Sequence, residues 1–201
     1  MIIHILNRQK LWHPNAAELK KLAKFFLSKS AFGAVASLPE PSPGGRRPPF
    51  RQQADPPMRT RMSRWAVRSA RGSCRRPNLK KCPVELSLLL TDDAGIRQIN
   101  RQFFDRDRAT DVISFTLRPL SRNGRLAGEI AINVERAIRE GKKRGGFEHE
   151  FALYLAHGCD HLAGHDDRMV KERERMRRRE LRWLKEASLR KLFLFMPLRI
   201  P

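Results

Sequence analysis

An α+β fold, with a single mixed β-sheet packed by helices and a long basic insertion, is what three features of the 201-residue sequence predict. Strand-like and helix-like segments follow one another in the order β-α, insertion, β-α-β-β-α-α-α, which describes one sheet covered by helices. The run "PVELSLLLT" (83–91) is almost continuously apolar and suits a buried strand. Between the first helix and that run, a Pro-, Gly- and Arg-rich stretch carries neither period.

The opening "MIIHIL" is apolar and β-branched, as a short strand requires. "NAAELKKLAKFFLSKS" (15–30) then sets Leu19, Leu22, Ala23, Phe26 and Leu27 on one helical stripe, with Pro14 and Asn15 marking its start. After the strand at 83–91, "DDAGIRQINRQFF" (92–104) reads as a helix capped by Thr91 or Asp92, with Ile96, Ile99 and Phe103 inward. "TDVISFTL" (110–117) and "AGEIAIN" (127–133) are two more strands, separated by a polar turn around Asn123 and Gly124. "VERAIREGKKRGG" (134–146) is a helix ending in glycines. "FEHEFALYLAHGCDHLAG" (147–164) is another, stopped near Gly164. "MVKERERMRRRELRWLKEASLRKLFLF" (169–195) is a long charged helix.

The whole chain, 1–201, reads as a single domain interrupted by the stretch from 38 to 81. That stretch is nearly free of acids and carries roughly half of the excess positive charge. It offers too little apolar surface to offset the entropy of ordering, so an extended or disordered insertion is expected. Forty-two Lys+Arg against 21 Asp+Glu give a net charge of +21, which favours polyanionic partners through long-range attraction and counterion release. Cys74, Cys82 and Cys159 are odd in number and lack zinc-ribbon spacing, so no disulfide framework is expected. The first residues lack the pattern of a secretory signal, and no run is long and apolar enough for a membrane span. These points predict a cytoplasmic protein of a reducing compartment, with no membrane association.

The stretch "LAHGCDHLAGHDDR" (155–168) packs three histidines and three aspartates into fourteen positions. On a helix His157 and His161 are i and i+4, so both imidazoles leave one face about a turn apart and can bind the same ion. Gly164 lets the chain turn back, and a third ligand arrives from the residues beyond it. Asp167 has the better reach, while His165, directly after the glycine, is the alternative. Three protein ligands and an open position are what a catalytic zinc needs, because the open position holds a water whose pKa falls toward neutrality. Cys159 points away on the helix and is a poor ligand. In a metalloprotease of the His-Glu-x-x-His type, the residue after the first histidine is a glutamate that serves as general base. Here it is Gly158, which cannot move a proton.

"HGCDHLAGHDD" resembles the His-Gly-x-x-His-Leu-x-Gly-x-Asp-His signature of the YbeY family, metal-dependent endoribonucleases of ribosomal RNA maturation. "INRQFFDRDRATDVISF" (99–115) is similar to that family's asparagine-bearing helix end and Thr-Asp-Val-x-Ser-Phe strand, and "AGEIAIN" to its Gly-Asp-Ile strand. The resemblance covers residues 1–29 loosely and 83–187 well, leaving the insertion unmatched. It implies a zincin-like metal-binding helix and one Zn2+ per chain on His157, His161 and Asp167, with no other small-molecule cofactor. It also implies hydrolysis of a phosphodiester in ribosomal RNA, at the 3′ end of 16S RNA, with the small ribosomal subunit as partner. Three departures stand out. Asp167 replaces the third histidine, Asp160 replaces a leucine, and Phe104 replaces an arginine. Arg101, Arg106 or Arg108 would then take over phosphate binding, with Arg106 and Asp160 as the expected catalytic residues. The alternatives are a metalloprotease-like zinc hydrolase, or a non-catalytic RNA-binding assembly factor with a structural metal.

Overall fold

Four strands, β1 (Ile2–Asn7), β2 (Val84–Thr91), β3 (Val112–Leu117) and β4 (Leu126–Asn133), form one sheet in the order β1-β2-β4-β3. The computed structural model describes residues 1–30, 84–117 and 126–192. The insertion expected at 38–81, the turn at Asn123 and Gly124, Cys74 and Cys82 lie outside these residues. The sheet is mixed, as expected: β2 runs parallel to both β1 and β4, whereas β3 pairs antiparallel with β4. The apolar run of β2 is thus explained by its central place, flanked by strands on both edges and covered on both faces.

Five helices complete the fold: α1 (Ala16–Ser30), α2 (Asp93–Phe104), α3 (Val134–Arg144), α4 (Phe147–Leu162) and α5 (Val170–Leu189). Their starts follow from local chemistry. Asn15 Oδ1 accepts from the Ala17 amide at 3.0 Å, Asp92 Oδ1 from Gly95 at 2.8 Å and Asn133 Oδ1 from Arg136 at 3.0 Å, each satisfying an amide that lacks an intrahelical partner. Asp92, not Thr91, therefore caps α2. α5 ends at Leu189, short of the expected Phe195; Lys191 takes up left-handed backbone (φ 55°) just beyond it.

Alternation along the strands divides the core. Leu86, Leu88 and Leu90 of β2 and Ile130 and Ile132 of β4 join α1 and α4 in the main cluster. Leu89, Ile113 and Ala131 point to the other face and meet Ile96 of α2 in a smaller one. α4 is apolar around most of its circumference because it lies between the sheet and the other helices, touching α1, α3, α5, β3 and β4. All five predicted residues of the α1 stripe are buried.

Phe103 departs from its expected inward position. Ile96 is fully buried and Ile99 partly so, but Phe103 is 57% exposed. The sheet surface beneath the last turn of α2 is already filled by Phe115 of the edge strand. Phe103 and Phe104 lean on that ring, with centroids 5.0 and 5.9 Å away, and turn their outer faces to solvent.

Candidate metal centre

The close packing of α4 on the sheet positions the histidines. A Cβ at Gly158 would lie 2.9 Å from Ile130 Cγ2 and 3.3 Å from Val112 Cγ2, so only glycine allows this approach to β3 and β4. The same geometry explains why no glutamate base stands after His157: the position is filled by the sheet. With Gly158 against β4, the neighbouring His157 and the following His161 project from a different side of α4, each half-buried.

There the two imidazoles meet edge to face, with Nε2 of His157 and Nε2 of His161 2.9 Å apart. Each ring is held from behind. His157 Nδ1 lies 2.6 Å from Oε1 of Glu180, and His161 Nδ1 lies 3.0 Å from the carbonyl oxygen of His165. If both Nδ1 atoms donate, both Nε2 atoms carry lone pairs toward the same point. Two such lone pairs repel each other unless a proton or a cation lies between them. Gly164 (φ 86°) turns the chain after α4 and brings Asp167 back, so that ligand atoms of His157, His161 and Asp167 all lie within 4.8 Å of one another. The donor set, two nitrogens and a carboxylate oxygen, suits a divalent ion of the zinc type. Among the described residues no fourth histidine, cysteine or acid joins the group.

Carboxylates around His157 favour positive charge there. Burial by itself pulls the His157 pKa down, but the hydrogen bond and charge of Glu180, with the charges of Asp111 and Asp167, raise it above the ordinary imidazole value. Cys159 is fully buried in the core and stands outside the three-donor group, and burial together with Asp160 drives its thiol above its usual range.

Several predicted residues fall elsewhere. The His165 ring is engaged by Asp160, with Nδ1 2.8 Å from Oδ1, and does not enter the three-donor group. Asp160 is fully buried, and both of its oxygens are taken, Oδ1 by His165 and Oδ2 by Arg179 Nη2 at 2.8 Å. Arg101, Arg106 and Arg108 are exposed around the C-terminal end of α2 and the turn after it. Among the described residues none of the three bonds to the histidine cluster. That turn is fixed by Asn100, whose Nδ2 donates to the Arg108 carbonyl at 2.8 Å, and by Arg97, which holds Asp107 in a two-point ion pair.

Glu180 is the residue that sequence reasoning missed. A signal for it was present. Met176, Glu180, Trp183 and Ala187 occupy the buried stripe of α5, and an acid on an apolar stripe requires a partner. That partner is His157.

The family model described as Endoribonuclease YbeY matches residues 51–188, an interval that begins inside the stretch set apart by composition. The Endoribonuclease YbeY of Myxococcus xanthus is 41% identical over 110 residues, covering 53% of this chain and 37% of that protein. That of Agrobacterium fabrum is 42% identical over 113 residues, covering 54% and 67%. The Anaeromyxobacter protein of the same name is 38% identical over 103 residues, covering 51% and 54%. The chain thus spans from little more than a third to about two thirds of these relatives' lengths. A solution structure of a Thermotoga maritima protein aligns with a TM-score of 0.48 and 19% identity, over 94% of this chain and 93% of the other. The matched interval contains His157, His161 and Asp167 together with the α2 turn, and the chain belongs to the Endoribonuclease YbeY family.

Proposed function

We propose that this chain is a metal-dependent endoribonuclease that cuts single-stranded RNA during ribosomal RNA maturation. The observation that carries the reading is the open cluster of His157, His161 and Asp167, three donors with no fourth among the described residues. A structural ion is normally enclosed by four protein ligands, whereas a catalytic one keeps a position free. One Zn2+ per chain is the proposed ion. When bound, it supplies Lewis acidity toward a phosphoryl oxygen and an activated water.

The chain's own groups have separate tasks in this reading. Glu180 holds His157 through Nδ1 and so presents Nε2, as an acid behind a ligating histidine does. Arg101, Arg106 and Arg108 supply cations to the RNA backbone, with Arg106 stabilising charge that grows on the phosphate during attack. Both oxygens of Asp160 are already engaged, which favours a positioning role for it over proton transfer. The excess of 42 basic over 21 acidic residues supports RNA over a peptide substrate. Gly158, where a zinc protease carries its base, does so too. The finer assignment is the 3′ end of 16S RNA on the small ribosomal subunit, in the cytoplasm. It is supported by family membership, and among the described residues no helix is long and apolar enough to cross a membrane.

Cleavage of structured ribosomal RNA and of casein, each with and without added zinc, tests the proposal. RNA cleavage that is lost in His161→Ala, with casein untouched, is expected. Metal-dependent casein cleavage without RNA cleavage would overturn it.

A further inference from the structure

We propose that Asp160 is a positioning residue: by binding His165 and Arg179 it fixes the turn after α4, so that Asp167 and not His165 completes the donor set. The inference rests on the metal-site reading given above.

A fully buried carboxylate is tolerated only when it is paired and hydrogen-bonded. Asp160 satisfies that demand with partners from two other parts of the chain. Arg179 of α5 reaches Oδ2 through Nη2 at 2.8 Å and through Nε at 3.2 Å. His165 of the turn reaches Oδ1 at 2.8 Å, and its amide also donates to the Asp160 carbonyl at 3.3 Å. The clasp therefore joins α4, the turn and α5. Arg179 is the neighbour of Glu180, so consecutive residues of α5 hold Asp160 and His157.

The consequence for the donor set is direct. The ring of His165 is drawn to Asp160, while its carbonyl oxygen supports Nδ1 of His161 at 3.0 Å. Residue 165 thus orients one proposed ligand through its backbone, and its side chain is withheld from the cluster. Asp167, two residues on, is the side chain that the turn delivers to the histidines. The two acidic departures from the family within this motif, Asp160 and Asp167, act together: one withholds the His165 ring and the other stands as a donor where the family carries its third histidine.

The test uses the full chain and four variants: Asp160→Leu, Asp160→Asn, His165→Ala and Asp167→Ala. Cobalt(II) is titrated in and followed by its visible absorption, and zinc affinity is measured by competition with a chromophoric chelator. Thermal unfolding is recorded in parallel. Asp160→Leu is expected to weaken zinc binding by about 10- to 100-fold, the range for groups that orient metal ligands, and to alter the cobalt spectrum. Asp160→Asn, whose amide can still bond to both partners, is expected to stay within about threefold of wild type. His165→Ala should weaken binding less than Asp167→Ala. A lower melting temperature in Asp160→Leu with unchanged zinc affinity and cobalt spectrum would overturn the inference, leaving Asp160 a merely structural residue. Should Asp160→Leu not fold, the contrast between His165→Ala and Asp167→Ala decides. Binding abolished by the former and kept by the latter makes His165 the ligand and refutes the positioning role. A wild-type chain that binds neither ion overturns the metal-site reading itself, and this inference with it.

Discussion

Removing the charge behind His157 should weaken ion binding about tenfold without unfolding the protein. Glu180 is 3% exposed and its Oε1 lies 2.6 Å from His157 Nδ1, a short charge-assisted contact. Such a bond contributes about 1.5–3 kcal/mol, against about 0.5–1.5 kcal/mol for a neutral one. Glu180→Gln keeps an oxygen to accept the Nδ1 proton but gives up the charge, a loss of about 1–1.5 kcal/mol. At about 1.4 kcal/mol per decade this is roughly a 5- to 12-fold change in Kd. Glu180→Ala also frees the ring to rotate, and the loss should approach about 100-fold. The assay is zinc competition against a chromophoric chelator. It should be run near pH 8, because Glu180 raises the His157 pKa and a proton on that ring opposes the ion. Circular dichroism checks that the variants are folded. Affinity within twofold of wild type for a folded Glu180→Ala would rule out this role for Glu180, since His157 would then need no partner to act as a ligand.

Three further outcomes follow from the same geometry. Replacing Arg101, Arg106 and Arg108 together by Gln should lower the slope of log affinity for single-stranded RNA against log salt by roughly 0.7 for each lost phosphate contact, read from binding titrations at several salt concentrations; an unchanged slope removes them from the interface. Gly158→Ala should destabilise the fold by about 1–3 kcal/mol in urea denaturation, because the added methyl meets Ile130 at 2.9 Å, and a neutral result would show that α4 can back away from the sheet. Burial raises the Glu129 pKa above its ordinary value, so its contribution to stability is full below about pH 4.5 and is lost as pH rises through the raised value; Glu129→Gln should therefore gain on wild type in thermal stability at pH 7 and not at pH 4, and an equal difference at both would contradict that sign.

Most of the architecture could be read from local pattern. The β2 run, the α1 stripe and the i, i+4 histidines are statements about periodicity, and periodicity decides which side chains share a face. What escaped depends on partners distant in sequence. Phe103 carries the right helical phase to be buried, yet Phe115 of the edge strand already occupies the space beneath it. Glu180 bonds to His157 although it lies 23 residues away, because only the packing of α5 against α4 brings the two together. Asp160 lies beside His161 in the sequence, yet its contacts lead to Arg179 and His165. The expected end of α5 failed for a local reason: the apolar residues after Leu189 continue the pattern, but the backbone at Lys191 leaves the helix.

His157, His161 and Asp167 are proposed to hold one divalent ion on which RNA hydrolysis depends, and their ligand atoms lie close enough to share it. The most direct test is elemental analysis of the full chain purified without chelator, beside the His157→Ala/His161→Ala double variant, with ribosomal RNA cleavage measured on the same samples. Close to one zinc per chain and RNA cleavage are expected in the wild type, and neither in the double variant. An equal metal content in both, or undiminished RNA cleavage by the double variant, would contradict the proposal.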